Sequence, residues 1–195
     1  MLTAVKLTHL ILKEKLGLGM QAIDATAGKG HDSLFLARLC GSGGKVFAFD
    51  IQGAALSSTF SRLKIAKDAG EDLASVTLHR HSHGAMNECL PKNMLGKVNA
   101  IIFNLGYLPG GDKSVITKSD ETLKALETSL SYLAPDGQLA IVLYPGHKGG
   151  DLESEQVLLW SECLSTSQWH IWHASPVNRP KSPHLLLITK RIQKQ

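Results

Sequence analysis

The stretch Ile23-Asp24-Ala25-Thr26-Ala27-Gly28-Lys29-Gly30-His31-Asp32 decides the fold of this chain. It follows a short apolar run and precedes an apolar-periodic segment at 34–39, a pattern that predicts a strand, a glycine turn and the start of a helix. Glycines let the backbone approach a ligand closely, and the first turn of a helix offers free N–H groups. Such a loop near the start of an α/β chain is typical of a site for a nucleotide-like cofactor.

Three kinds of cofactor loop are compatible with glycines at this place. A Walker-type phosphate loop requires Gly-Lys followed by Ser or Thr, and the sequence contains no such triplet. A dinucleotide loop requires a third glycine where this chain has Ser33, although Asp50 lies 20 residues after Gly30, as a ribose-binding acid should. The flanking carboxylates of Asp24 and Asp32 would repel a pyrophosphate, whereas they suit S-adenosylmethionine, which carries a sulfonium and an ammonium and no phosphate. A tight turn without a ligand is the remaining alternative.

The composition of the chain predicts one globular domain over residues 1–195. Hydrophobic residues make up 43% of the sequence and charged residues 19%, which excludes a disordered chain. No apolar run is long enough for a membrane span. Residues 1–18 read as an amphipathic helix that packs on the domain, without the apolar centre of a signal peptide. The three cysteines are too far apart for a disulfide framework or a zinc site, which indicates a reducing cytoplasm.

Charge and histidine content leave the partner open. The net charge of +4 and the pI of about 9.0 are compatible with RNA, and equally with an ordinary solvated surface. His79, His81 and His83 alternate and would share one face of a strand. Because no cysteine or carboxylate cluster accompanies them, we expect no metal site.

Strands and helices alternate along the whole chain. The apolar strands indicate a parallel sheet buried on both faces, that is, a doubly wound α/β domain. In such a sheet, ligands bind beyond the carboxyl ends of the strands, so the residues that follow each strand are the candidates for the site. The predicted strands are 20–24, 45–50, 76–79, 98–104, 138–144, 169–174 and 184–190, and the later helices are 53–69, 119–133 and 152–164.

Polar residues follow the second and third predicted strands. Asp50 and Gln52 follow the second strand, and an acid at this position binds two ribose hydroxyls. Ser82 and His83 follow the third, where a polar side chain either meets the edge of an adenine or belongs to the surface. We therefore expect the cofactor to extend from the glycine loop across these strand ends.

Asn104 closes the fourth predicted strand and is soon followed by Tyr107. This arrangement resembles the Asn-Pro-Pro-Tyr loop of amino-methylating enzymes, with Leu105-Gly106 in place of Pro-Pro. The asparagine oxygen and the Leu105 carbonyl would accept the hydrogens of an amine and aim its lone pair at a methyl carbon. The ring of Tyr107 would stack on a flat base and favour positive charge. The alternative is a glycine-rich connection on which Tyr107 packs.

Two further loops would complete the rim of the site. Asp112, in the same loop as Tyr107, and His147, after the fifth strand, are the candidates for taking the proton that the amine must lose, and solvent is the alternative. The basic, proline-containing loop 178–183 would grip phosphates.

Three stretches together resemble a known family. Residues 24–32, 104–112 and 144–150 are similar to the small class I methyltransferases of the rRNA methylase family, whose members include tRNA 5-aminomethyl-2-thiouridine methyltransferases. The resemblance implies a Rossmann-like sheet of about seven strands with the last one antiparallel, S-adenosylmethionine as donor, a tRNA wobble uridine as acceptor, and a homodimer. The family has asparagine where this chain has Lys29. The residues expected to bind the cofactor are Asp24, Thr26, Gly28, Lys29, Gly30, His31, Asp32, Asp50, Gln52, Ser82, His83, Asn104 and Leu105.

The expected function is therefore N-methylation of a modified tRNA base. Asn104, Tyr107, Asp112 and His147 are the expected catalytic residues, and most of the acceleration would come from positioning. Methylation of rRNA or of a small-molecule amine is one alternative, since the fold does not choose the acceptor. A non-catalytic RNA-binding module is the other.

Overall fold

The computed structural model describes residues 1–106, 119–146, 149–179 and 181–192. The helices are α1 (Ala4–Lys13), α2 (His31–Cys40), α3 (Gly53–Asp68), α4 (Met86–Cys89), α5 (Ser119–Tyr132) and α6 (Gly150–Glu162). The strands are β1 (Gln21–Asp24), β2 (Lys45–Phe49), β3 (Ser75–His79), β4 (Val98–Leu105), β5 (Leu133–Leu143), β6 (Trp169–Ala174) and β7 (His184–Lys190).

The strands form one seven-stranded sheet in the order β3-β2-β1-β4-β5-β7-β6. Neighbouring strands from β3 to β5 are parallel, whereas β7 runs antiparallel to both β5 and β6. This confirms the predicted doubly wound, mostly parallel sheet with its last strand antiparallel. The order of the strands reverses at β1 and β4, so the residues that follow these two strands lie at the switch point where ligands bind.

Alternate residues of β4 face two different hydrophobic layers. Ile101 and Phe103 belong to the layer covered by α4, α5 and α6, in which Met86, Leu126 and Val157 are buried. Residues 100 and 102 belong to the layer covered by α1 and α2, which includes Leu12, Leu36 and Leu187. By the two-residue period of a strand, Asn104 points to the same side as residues 100 and 102. The end of β4 thus directs Asn104 toward α1 and α2.

The predicted elements agree with the observed ones except in three places. β5 begins at Leu133 and not at 138, because Leu133 already pairs with Val98 before the chain passes Asp136, whose φ is +62°. The short helical turns between residues 83 and 94 were not predicted. The N-terminal helix is also shorter than the predicted 1–18: the Thr3 side chain accepts a hydrogen bond from the Lys6 N–H and so caps it, and it ends at Lys13.

Within the described residues, no helix is long and apolar enough to cross a membrane. The same residues contain no group of three His, Cys, Asp or Glu side chains that could hold a metal ion. Cys40, Cys89 and Cys163 are free thiols.

Candidate active site

The glycine loop between β1 and α2 is shaped by positive backbone angles and by a close helix. The φ angles of Gly28 and Gly30 are +53° and +76°, a region that L side chains rarely adopt. A Cβ atom on Gly30 would lie 2.7 Å from the Cα of Thr59 in α3. The Thr59 hydroxyl donates to the Gly28 carbonyl at 3.2 Å. The loop is therefore held against α3, with the N-terminus of α2 directly behind it.

Asp24 supports this loop from below. Its side chain has no exposed surface. One carboxylate oxygen accepts the Thr26 N–H at 3.1 Å and the other accepts the Ser33 hydroxyl at 2.6 Å. Burial, and then the charge of Asp32, raise the pKa of Asp24 to about 7. Asp24, which was expected beside the ligand, thus accepts these hydrogen bonds from the loop backbone and from the first turn of α2.

Asp50 lies at the end of β2 and is partly exposed. Its two oxygens accept the Gly28 N–H at 2.9 Å and the Gln52 N–H at 2.8 Å. A carboxylate has about four acceptor positions, so both oxygens keep capacity for the hydroxyls of a ribose. Gln52 is the residue before α3, and its side chain makes no capping hydrogen bond. The loop and the predicted ribose-binding acid are thus joined directly.

The residues after β3 differ in what they offer a ligand. The Ser82 hydroxyl donates to Glu121 at 2.6 Å and accepts the Gly84 N–H. His83 is buried edge-on against Phe103, with 5.5 Å between ring centroids, and burial lowers its pKa. Its Nε2 atom is buried and has no hydrogen-bond partner among the residues that the structure describes. Ser82 is thus engaged by α5, and the His83 ring is buried in the core beneath the strand ends.

Asn104 stands at the centre of a chain of hydrogen bonds. Its backbone N–H donates to the Thr26 hydroxyl at 2.7 Å, which ties β4 to the glycine loop. Its side-chain NH2 donates to Asp32. The Tyr144 hydroxyl donates to its Oδ1 at 3.3 Å. Because a carbonyl oxygen has two lone pairs, Oδ1 can accept one more hydrogen.

Lys29 and His31 form the outer side of the loop. Both are exposed. The Arg62 guanidinium donates to the Lys29 carbonyl at 2.8 Å and lies 3.1 Å from Nε2 of His31. Partial burial and the charge of Arg62 lower the pKa of His31. Lys29 and Arg62 make a positively charged rim, and Lys29 stands where the family resemblance expected an asparagine.

Three of the four expected catalytic residues, Tyr107, Asp112 and His147, lie outside the described residues. Leu105 is buried and pairs with Leu143 of β5. At Gly106, a Cβ atom would meet the Tyr144 ring at 3.3 Å, so the chain leaves β4 in close contact with that ring.

Sequence reasoning missed His9, Glu121 and Tyr144. Nε2 of His9 lies 2.6 Å from Asp32, and its ring stacks on Phe35. His9 and Glu121 lie far along the chain from the residues they contact, and no local spacing predicts those contacts. Only Tyr144 carried a signal, since it follows the fifth strand at the edge of the sheet where the site was expected.

The donor set of the site fits S-adenosylmethionine. Asp50 keeps acceptor positions for ribose hydroxyls, and Asp32, whose two oxygens are engaged by His9 and Asn104, adds a negative charge that suits a sulfonium and an ammonium. A Cβ atom on Gly30 would overlap Thr59 of α3, so the loop keeps its shape only with glycine at this position. Two carboxylates at the loop would repel a phosphate.

Comparison with known proteins points to the same cofactor. A family model described as putative rRNA methylase matches residues 46–190. The tRNA (mnm(5)s(2)U34)-methyltransferase of Arabidopsis thaliana chloroplasts is 39% identical over 193 residues, covering 96% of this chain and 69% of the relative.

Two solved structures extend the similarity to the fold. A putative rRNA methylase from Clostridium thermocellum has a TM-score of 0.88 and 31% identity, covering 97% of this chain and 98% of the other. A putative methyltransferase from Streptococcus mutans, solved in complex with S-adenosylhomocysteine, has a TM-score of 0.83 and 33% identity, covering 97% and 99%. S-adenosylhomocysteine is what S-adenosylmethionine becomes after it has given up its methyl group.

Proposed function

We propose that this chain methylates the amine of 5-aminomethyl-2-thiouridine at the wobble position of tRNA. The chain belongs to the putative rRNA methylase family and is an S-adenosylmethionine-dependent methyltransferase. The observation that carries the proposal is Asn104, whose amide is oriented at the end of β4 beside the cofactor loop. The name of the Arabidopsis relative supports the choice of acceptor.

The cofactor is held by the loop around Gly28 and Gly30, with Asp50 on its ribose hydroxyls. When bound, it supplies an electrophilic methyl group, which a neutral amine takes up as the carbon–sulfur bond breaks and the amine loses one proton. Thr26 links the loop to Asn104, so the donor and acceptor sides of the site are fixed relative to one another. Such fixed positioning can supply much of the barrier reduction in a transfer between two bound groups.

Asn104 selects and orients the amine. Its free acceptor position takes one amine hydrogen, and the Leu105 carbonyl takes another, which leaves the nitrogen lone pair exposed toward the methyl carbon. The ring of Tyr107 stacks on the thiouracil base. Asp112 or His147 accepts the departing proton, or solvent does. The rim of Lys29 and Arg62 adds positive charge that suits the phosphates of a nucleic acid.

We further propose that residues 1–195 form one domain in the cytoplasm, as the composition and the separated cysteines indicate, and that it acts as a homodimer, as the family resemblance implies. Sedimentation equilibrium at micromolar concentration tests the assembly. A single species at 21.1 kDa, the mass of one chain, would contradict it.

The experiment uses labelled S-adenosylmethionine and bulk tRNA whose modified wobble uridine lacks the terminal methyl group. After digestion, nucleoside mass analysis should find the label in 5-methylaminomethyl-2-thiouridine. Asn104→Ala should lower turnover at least a hundredfold with little change in cofactor affinity, because removal of a positioning group costs about that much. Asn93→Ala, an exposed asparagine before the amino end of β4, is the matched control. Label in rRNA or in a small amine, and none in tRNA, would refute the acceptor; equal turnover in both variants would refute the role of Asn104.

A further inference from the structure

We infer that His9 of α1 is a positioning residue for methyl transfer: through Asp32 it holds the Asn104 amide with its oxygen toward the acceptor amine. The inference rests on the proposed function. It connects the N-terminal helix, for which the reaction gives no other role, to the reacting nitrogen.

Asp32 is the shared acceptor between the two residues. One of its oxygens lies 2.6 Å from Nε2 of His9, and the other accepts the side-chain NH2 of Asn104. An ionised carboxylate can only accept hydrogen bonds, so Asn104 must present its NH2 to Asp32 and its Oδ1 to the opposite side. The carboxylate therefore decides which way the amide is turned.

His9 in turn fixes the carboxylate. The imidazole stacks on Phe35 with 3.8 Å between ring centroids and 7° between planes. The His9 side chain is 28% exposed and that of Asp32 only 10%. Helix α1 is anchored by Leu12, and the chain just after it by Leu16; both are buried in the same layer as residues of β5 and β7. A donor held on a packed ring and a packed helix leaves the Asp32 carboxylate little freedom to rotate.

The direction of the amide matters because of what an amine needs. With Oδ1 forward, Asn104 accepts an amine hydrogen and leaves the lone pair free. With the amide reversed, its NH2 donates to that lone pair, and the nucleophile is blocked. When His9 no longer donates, Asp32 can rotate away from Asn104, and the reversed amide becomes accessible. The expected result is a loss of turnover without loss of cofactor binding.

Two variants of His9 separate the hydrogen bond from the stacking. His9→Phe keeps a ring to stack on Phe35 and removes the donor. His9→Gln loses the ring and keeps an N–H donor at a similar reach. We expect His9→Phe to lower kcat about tenfold, as loss of a supporting hydrogen bond commonly does, and His9→Gln to restore kcat to within about threefold. The KM for tRNA and the Kd for S-adenosylmethionine, measured by calorimetry, should change less than threefold in both.

A spectroscopic readout tests the same chain without turnover. The side-chain NH2 resonances of Asn104, assigned by their absence in Asn104→Ala, should move upfield and exchange faster in His9→Phe than in His9→Gln. If wild-type protein does not methylate the tRNA, the proposed function fails, and the NH2 resonances still test the hydrogen bonds from His9 through Asp32 to Asn104. If wild-type protein is active and His9→Phe retains full kcat with unmoved resonances, the positioning role of His9 is refuted. Loss of kcat in His9→Gln with retention in His9→Phe would assign His9 to packing alone and would equally refute it.

Discussion

Replacing Gly30 with alanine tests the close packing of the cofactor loop on α3. The φ of Gly30 is +76°, and the new Cβ atom would lie 2.7 Å from the Cα of Thr59 and 2.9 Å from its hydroxyl oxygen. The Cα atom belongs to the backbone of a helix and cannot rotate away. The substitution therefore has two costs, one from the backbone angle and one from the overlap.

The two costs can be given separate magnitudes. A left-handed conformation costs an L residue about 1–2 kcal/mol. Overpacking against a fixed neighbour adds about 1–3 kcal/mol. We expect Gly30→Ala to lower the free energy of unfolding by about 2–5 kcal/mol, the sum of these two ranges.

Gly70 provides the matched control. Its φ is +83°, and a Cβ atom there would have no neighbour within 4 Å. Gly70→Ala should therefore cost only the angle term of about 1–2 kcal/mol. Urea unfolding of wild type and of both variants measures the difference. Calorimetry should also show S-adenosylmethionine bound at least tenfold more weakly by Gly30→Ala and unchanged by Gly70→Ala. Equal destabilisation by the two variants, with equal cofactor affinity, would refute the reasoning.

Three further predictions follow from Asp50, Asp24 and the cysteines. Asp50→Ala should weaken S-adenosylmethionine binding in calorimetry about 10- to 100-fold, because a charged hydrogen bond contributes about 1.5–3 kcal/mol; an unchanged Kd would contradict its ribose role. The pKa of Asp24 is raised from 3.8 to about 7, so between these two pH values the folded state binds more protons than the unfolded state, and the stability falls as the pH rises. In Asp24→Asn, the free energy of unfolding in urea should therefore depend less steeply on pH. A dependence as steep as that of the wild type would contradict the assignment. Burial raises the pKa of the Cys40 thiol to about 11, so iodoacetamide at pH 8 should label exposed Cys163 in the native protein and leave Cys40 unmodified, as peptide mass analysis would reveal.

The strands were predictable because the apolar runs are unambiguous. Ile101, Ile102 and Phe103 are buried on both faces of the sheet, and a run buried on both sides needs no alternation to be recognised. Strands β6 and β7 begin and end at the predicted residues. The start of β5 was missed because Pro135-Asp136-Gly137 has the composition of a turn, while the pairing of Leu133 with Val98 is a contact between distant residues.

The candidate site was only partly predictable for the same physical reason. The positive φ angles of Gly28 and Gly30 and the place of Asp50 follow from local sequence. The burial of Asp24 and of His83 does not, because it depends on what packs over each strand end. The contact between His9 and Asp32 joins residues 23 apart and requires that α1 and α2 lie on one face of the sheet. The spacing of residues along the chain does not predict such a contact.

The packing of α1 also sets an order of events during synthesis. Leu12 of α1 lies in the same layer as Leu185 and Leu187 of β7, so α1 rests on a strand that follows it by about 175 residues. At typical elongation rates that interval lasts roughly 9–35 s. During this time β1, β2 and the glycine loop can assemble, while His9 of α1 is not yet held beside Asp32. Protease added to stalled nascent chains should cut α1 until β7 has emerged. The cofactor cradle can therefore exist before the acceptor side of the active site does, and β7 completes that side.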